Sequence, residues 1–190
     1  MLITPTPLPE VLLIEPKKVE DLRGWFIETF RKDFLEEAVG HSINFCQDNL
    51  VKSYYGAIRG LHYQMPPFAQ SKLVSVLQGS VIDVVVDIRK GAPNFGKHYA
   101  VELSAENQKQ LFIPCGFAHG YACLSETALL TYKVDSHYNK AAEASIAFDD
   151  SRLNIDWQIP EEKQVLSAKD RQHPAFEAAP LFDYNTPLYD

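Results

Sequence analysis

The sequence predicts an antiparallel all-β fold, a sandwich or a barrel, with a few short helices at its edge. Three observations carry this reading. Strand-like runs follow one another from about Ile43 to Phe148. Glycine and proline corners separate them. Aromatic residues make up 12% of the chain, beside 12 prolines, a composition that suits short, turn-rich strands.

The elements follow in order. The first 20 residues are extended, with Val11–Ile14 a short strand between prolines. Gly24–Phe30 is aromatic and β-branched and forms another strand. Arg31–Val39 then places Phe34, Leu35 and Ala38 on one face at helical spacing, with Gly40 where a C-terminal cap belongs. Lys72–Gln78 and Val81–Ile88, joined by Gly79-Ser80, read as a tight hairpin. In the second run Ile82, Val84, Val86 and Ile88 share a face expected to be core. Asp83, Val85 and Asp87 share the other, a partly polar interior or surface. Further strands are expected at Tyr99–Leu103, Gln110–Ile113, Gly120–Leu124 and Ala128–Val134. After Asp150 the chain turns polar, and short helical or irregular pieces should pack outside. No repeat or linker interrupts it. Residues 1–190 therefore read as one domain, a barrel core of about 43–148 with N-terminal strands and a C-terminal extension packed on it.

Composition narrows the function. A net charge of −7 argues against a general nucleic-acid or anionic-membrane binder, while leaving room for a local cationic cluster that takes one anionic ligand. Three cysteines (Cys46, Cys115, Cys123), odd in number and without CxxC spacing, point away from a disulfide framework or thiolate zinc site and towards a reducing compartment. Met1–Glu10 has no cationic start followed by an apolar run, and no apolar stretch approaches roughly 18 residues. A soluble, cytoplasmic protein is expected.

Two segments choose between sandwich and barrel. Arg59-Gly60-Leu61-His62-Tyr63-Gln64, followed by Lys72 and Gly79, resembles the first cupin signature. Phe112–Gly120, with Pro114, Gly116 and His119, resembles the second. The resemblance implies a double-stranded β-helix, or jelly-roll, barrel. Metal-binding cupins carry His-x-His and a Glu in the first segment; here Gln64 replaces the second His and no Glu follows. His62 and His119 alone make a poor metal site, so no metal is expected.

The whole pattern resembles the dTDP-4-dehydrorhamnose 3,5-epimerase family over roughly Leu12–Arg171. The segments that carry it are Asp21–Glu28, Phe45–Asn49, Arg59–Gln64, Lys72, Ile113–Gly120, Tyr132 with Tyr138 and Glu143, and Ser167–Asp170. The implied reaction is inversion at C3 and C5 of a dTDP-4-keto-6-deoxyhexose without a cofactor, since the substrate ketone already acidifies both neighbouring C–H bonds. Inversion needs a base on one face, a stabiliser for the enolate oxygen and an acid on the other face. The resemblance makes His62 the base, and an imidazole, with an ordinary pKa of about 6.5, suits that task. It makes Asp170 the orienting partner that sets the tautomer and stabilises the imidazolium. Lys72 would hold charge at the enolate oxygen, worth on the order of 3 kcal/mol. Tyr132 would be the opposing acid. Arg23 and Arg59 suit a diphosphate. Phe26, Glu28, Gln47, Asp48, Asn49, His119, Tyr138, Glu143 and Lys169 are the remaining implied substrate contacts. The family also implies a homodimer with exchanged N-terminal strands, so that Arg23, Phe26 and Glu28 serve the neighbour's site.

Taken singly, each residue has an ordinary explanation. His62 would be a hydrogen-bonded structural histidine, Lys72 the exposed side of an edge strand, Tyr132 an amphipathic strand residue, and Lys169-Asp170-Arg171 a solvated charge cluster. One local point resists the family reading. Arg59 and His62 face opposite sides of a regular strand, so a bulge at Gly60 is required to bring both to one ligand. The rival readings are a single-site epimerase, a metal-dependent cupin and a non-catalytic sugar-nucleotide binding module.

Overall fold

Alternating side chains sort the strands into two facing walls in a computed structural model, which describes residues 1–189. In chain order the strands are β1 (Leu2–Pro5), β2 (Leu12–Glu15), β3 (Lys18–Asp21) and β4 (Gly24–Ile27), then helix α1 (Lys32–Val39). There follow β5 (Gln47–Tyr54), β6 (Ile58–Gln64), β7 (Lys72–Gln78), β8 (Ser80–Asp87), β9 (Arg89–Lys90) and β10 (His98–Ser104). The last are β11 (Gln110–Ile113), β12 (Phe117–Cys123), β13 (Thr127–Val134), β14 (Glu143–Ser145) and β15 (Phe182–Asp183). One wall has six strands in the order β1-β2-β11-β7-β13-β5; the other has five, β10-β8-β12-β6-β14. All pairs in both walls are antiparallel. Among the described residues no helix is long and apolar enough to cross a membrane.

The expected hairpin at Gly79-Ser80 is not one. β7 lies in the six-stranded wall and β8 in the five-stranded wall, so the chain turns a corner between walls there. Gly79 makes the corner with a φ of +74°, and a Cβ on it would stand 2.1 Å from the Thr127 carbonyl oxygen. A two-strand turn signal cannot distinguish these outcomes, because each strand finds its partners far away in sequence.

Both faces of β8 are buried. Val81 and Val85 point between the walls with Val74, Leu111, Phe117 and Leu130. Ile82, Val84, Val86 and Ile88 are core as expected, but on the outer side of their sheet, covered by Trp157, Phe176 and Phe182. Each such buried side chain is worth about 1.5–3 kcal/mol. The C-terminal segment is therefore a lid over one wall, held by three 3₁₀ turns (Glu161–Lys163, Asp170–Gln172, Phe176–Ala178).

Three expectations at the N-terminus change. β2 does not pack on the barrel from outside but is hydrogen-bonded into the six-stranded wall beside β11. The strand expected over Gly24–Phe30 stops at Ile27, in a separate hairpin with β3. In α1 only Leu35 is buried; Phe34 and Ala38 are exposed, and the Arg31 guanidinium lies over the Phe34 ring instead. Gly40 does cap the helix, donating its N–H to the Glu36 carbonyl.

Candidate active site

A cavity of about 510 Å³ opens between the two walls. His62 on β6 and His119 on β12 are register partners in the five-stranded wall. Gln47 and Asn49 on β5, Lys72 on β7 and Tyr132 on β13 come from the six-stranded wall. Tyr138, Glu143, Lys169 and Asp170 complete the lining.

The strand β6 reaches this arrangement through an irregularity. His119 pairs with His62, yet Tyr121, two residues on, pairs with Arg59, three residues back. The extra residue on β6 reverses the alternation, and Arg59 and His62 both line the cavity. Gly60 allows it with a φ of +141°; a Cβ there would lie 2.5 Å from the Gly120 Cα.

Each histidine has its own carboxylate. His62 Nε2 lies 2.9 Å from Asp170 Oδ1, and the Ser167 hydroxyl donates to Asp170 Oδ2 at 2.6 Å. Burial would raise the Asp170 carboxyl, but the hydrogen bonds from His62 and Ser167 overcome it and hold the group down at about 2. Asp170 is thus a carboxylate at neutral pH and can only accept, so His62 Nε2 is the donor, and in the neutral imidazole the lone pair lies on Nδ1. His119 Nε2 stands 3.0 Å from both oxygens of Asp83, which is fully buried on the interior face of β8. Burial pushes the His119 imidazolium down, with Asp83 opposing.

Lys72 is buried, not an exposed edge residue, and donates to the His62 carbonyl at 3.4 Å. Burial pushes its ammonium down to about 8, against the attraction of Asp83. Burial raises the Tyr132 phenol, with Arg59 opposing, so Tyr132 holds its proton at neutral pH. Arg59 Nε donates to Ser53 Oγ at 3.1 Å. Ser53 in turn is 2.9 Å from the Tyr121 hydroxyl. At the mouth, Glu143 takes Lys169 at 2.6 Å and the Tyr138 hydroxyl at 3.1 Å. Its carboxylate is neutralised locally, and Arg59 and Lys72 bring positive charge to the cavity wall inside an acidic chain.

The model of the family described as dTDP-4-dehydrorhamnose 3,5-epimerase matches residues 5–178. The chain belongs to that family. The dTDP-4-dehydrorhamnose 3,5-epimerase of Shigella flexneri is 48% identical over 182 residues, 96% of this chain and 99% of its own. The crystal structure of the Elizabethkingia anophelis NUHP1 epimerase is 51% identical with a TM-score of 0.90, covering 93% of this chain and 97% of that one. The Legionella pneumophila Philadelphia 1 structure, in complex with dTDP-4-keto-L-rhamnose, is 43% identical with a TM-score of 0.92, covering 97% and 99%. The present chain is accordingly an isomerase on a cupin-type fold.

In this epimerase the residues singled out from sequence divide into two groups. His62, Lys72, Tyr132, Asp170, Arg59, His119, Gln47, Asn49, Tyr138, Glu143 and Lys169 all line the one cavity. Asp48 does not: β5 alternates, and Asp48 points to the opposite side and pairs with Lys133 at 3.0 Å. Arg23, Phe26 and Glu28 do not line it either. Arg23 stands on the turn after β3, its guanidinium tied to Asp21, and Phe26 is 70% exposed. Four polar residues escaped the sequence reading. Asp83 was visible only as half of an alternating strand. Tyr121 and Ser53 became relevant through the bulge. Ser167, inside a motif already noted, turns out to anchor Asp170.

Proposed function

We propose that this epimerase inverts C3 and C5 of dTDP-4-dehydro-6-deoxy-D-glucose through an enolate, giving dTDP-4-dehydro-L-rhamnose. The observation that carries this is the placement of His62 and Tyr132 on opposite walls of one cavity. Inversion requires a proton to leave one face of the carbon and another to arrive on the opposite face. His62 Nδ1 takes the proton, and Asp170 stabilises the imidazolium through Nε2. Lys72 places positive charge at the developing enolate oxygen. Tyr132 donates the returning proton, and bulk water exchanges with it. Arg59 meets the diphosphate, while Gln47, Asn49 and Tyr138 meet the nucleoside. The chemistry calls on the substrate's own ketone as electron sink, so no cofactor enters.

The direct test is proton NMR of dTDP-4-keto-6-deoxyglucose with the protein in D₂O. Loss of signal at both C3 and C5, with product trapped by a ketoreductase, is the expected result. Exchange at one carbon alone would replace this reading with a single-site epimerase, and none at either would remove the catalytic reading.

Lys72 sets an expected pH dependence. Its ammonium is charged below about 8 and neutral above, so enolate stabilisation is present at neutral pH and is lost as pH rises through that value. The alkaline limb of kcat/KM should fall there. In Lys72→Arg, whose guanidinium stays charged, the limb should move to higher pH. An unchanged limb would take Lys72 out of this role.

The working unit is a homodimer in which the β3–β4 hairpin reaches the neighbouring cavity. β1 and β2 are hydrogen-bonded into the six-stranded wall, and the β3–β4 hairpin, which stands outside both walls, is the part assigned to the exchange. Its support is the exposure of Leu22, Trp25 and Phe26 beside Arg23. Sedimentation should give twice the chain mass, and a monomer with full activity would refute the exchange. The free thiols and the nucleotide-sugar substrate support a cytoplasmic location.

A further inference from the structure

Behind the dyad lies a second imidazole that the epimerisation does not use. The His173 side chain is 4% exposed, and its Nε2 is 3.7 Å from Asp170 Oδ1. Among the described residues neither ring nitrogen has a hydrogen-bond partner of normal geometry, and the only polar backbone group acting on the ring is that of Gly60. Leaving such a group poorly paired in the interior is costly, and here it faces two side chains of types able to ligate a metal. One ligand atom each from His62, Asp170 and His173 lies within 4.8 Å of the others. The His62 and His173 rings stand edge to face, with centroids 5.2 Å apart at 78°.

These distances suit an ion. With metal–nitrogen bonds of about 2.0–2.1 Å, two ligands of a tetrahedral centre stand roughly 3.3 Å apart. The two contacts to Asp170 Oδ1, 2.9 Å from His62 and 3.7 Å from His173, bracket that value. Two imidazoles and one carboxylate suit zinc, cobalt or nickel, and three protein ligands leave a fourth position for water. Ser167 holds the outer carboxylate oxygen, as partners of metal ligands commonly do.

We infer that His62, Asp170 and His173 form a site for a divalent transition-metal ion, and that its occupation switches the base off. The ion is an inhibitor rather than a cofactor. It takes the lone pair of His62 Nε2, which forces the ring proton onto Nδ1. That is the nitrogen that must accept the substrate proton, so the base loses its lone pair. The inhibition rests on the role proposed for His62; the binding does not.

The experiment uses EDTA-treated full-length protein titrated with Co²⁺, followed by visible absorption, and with Zn²⁺ by calorimetry. One ion per chain is expected, with a d–d spectrum in the wild type. In His173→Phe, which keeps ring volume, Zn²⁺ affinity should fall at least about tenfold, while metal-free epimerisation stays at the wild-type rate. Zn²⁺ should inhibit the wild type, and EDTA should restore it. His173→Gln serves the same comparison should the Phe variant fail to fold. Equal Zn²⁺ affinity in wild type and variant, or no Co²⁺ spectrum, would overturn the site. Affinity is measured without turnover, so the result for the metal site holds whether or not epimerisation is observed.

Discussion

His62→Ala lowers proton exchange at C3 and C5 by about 10²–10⁴-fold, the usual contribution of a placed general base. Binding of dTDP changes little. The separation follows from the proposed scheme: Asp170 holds one His62 nitrogen at 2.9 Å, and the other is the one assigned to the reacting carbons. The groups assigned to diphosphate and base, Arg59, Gln47 and Asn49, stand on other parts of the cavity and do not lean on the imidazole. Asp170→Asn should cost nearly as much without removing any atom that touches substrate. An amide can offer its N–H to Nε2, which favours the tautomer with the proton on Nδ1 and leaves no base on the reacting side. Single-turnover exchange in D₂O, with a separate dTDP titration, reads both variants. Near-normal exchange in His62→Ala would refute the assigned chemistry. A parallel collapse of dTDP affinity would instead make His62 a binding residue.

Gly60→Ala should lose activity about 10²-fold and lower the Tm, although residue 60 touches no substrate in this scheme. A Cβ at this position would sit 2.5 Å from the Gly120 Cα and 3.0 Å from the His119 carbonyl oxygen. Those are backbone atoms of the neighbouring strand and cannot swing aside. A non-glycine φ of +141° adds its own strain. Strain and overpacking together cost about 3 kcal/mol, which at this chain length is about 6–12 °C in Tm. Relief requires β6 to shift away from β12. That shift moves His62 and Arg59 together, and misplacing a catalytic group by about 1 Å costs on the order of 10²-fold. Thermal unfolding and kcat/KM measured together check this. A variant with full activity and unchanged Tm would show that β6 and β12 do not need their close approach.

The chemistry available and the class of fold are legible in the residues alone. Strand periodicity marked β8, β10, β11, β12 and β13 to within a few residues, because alternation and turn residues are local properties. The loss of a metal-binding pattern at Gln64 and the order of His62, Lys72, His119, Tyr132 and Asp170 were equally visible, since motifs are carried by residue identity. Pairing at a distance, by contrast, is set by how the strands close on one another. Gly79 could end a hairpin or turn a corner between walls, and the choice was made by Thr127 and by partners of β7 and β8 remote in the chain. Asp83 could face solvent or the interior; its burial against His119 depends on the six-stranded wall closing over the inner face of β8. Asp48 sits between two cavity residues in sequence and faces away from them in space. His173, three residues beyond Asp170, gains its meaning only when a 3₁₀ turn brings it against a strand more than a hundred positions earlier. Local preference is written along the chain, whereas the facing of one side chain to another is settled by closure of the barrel.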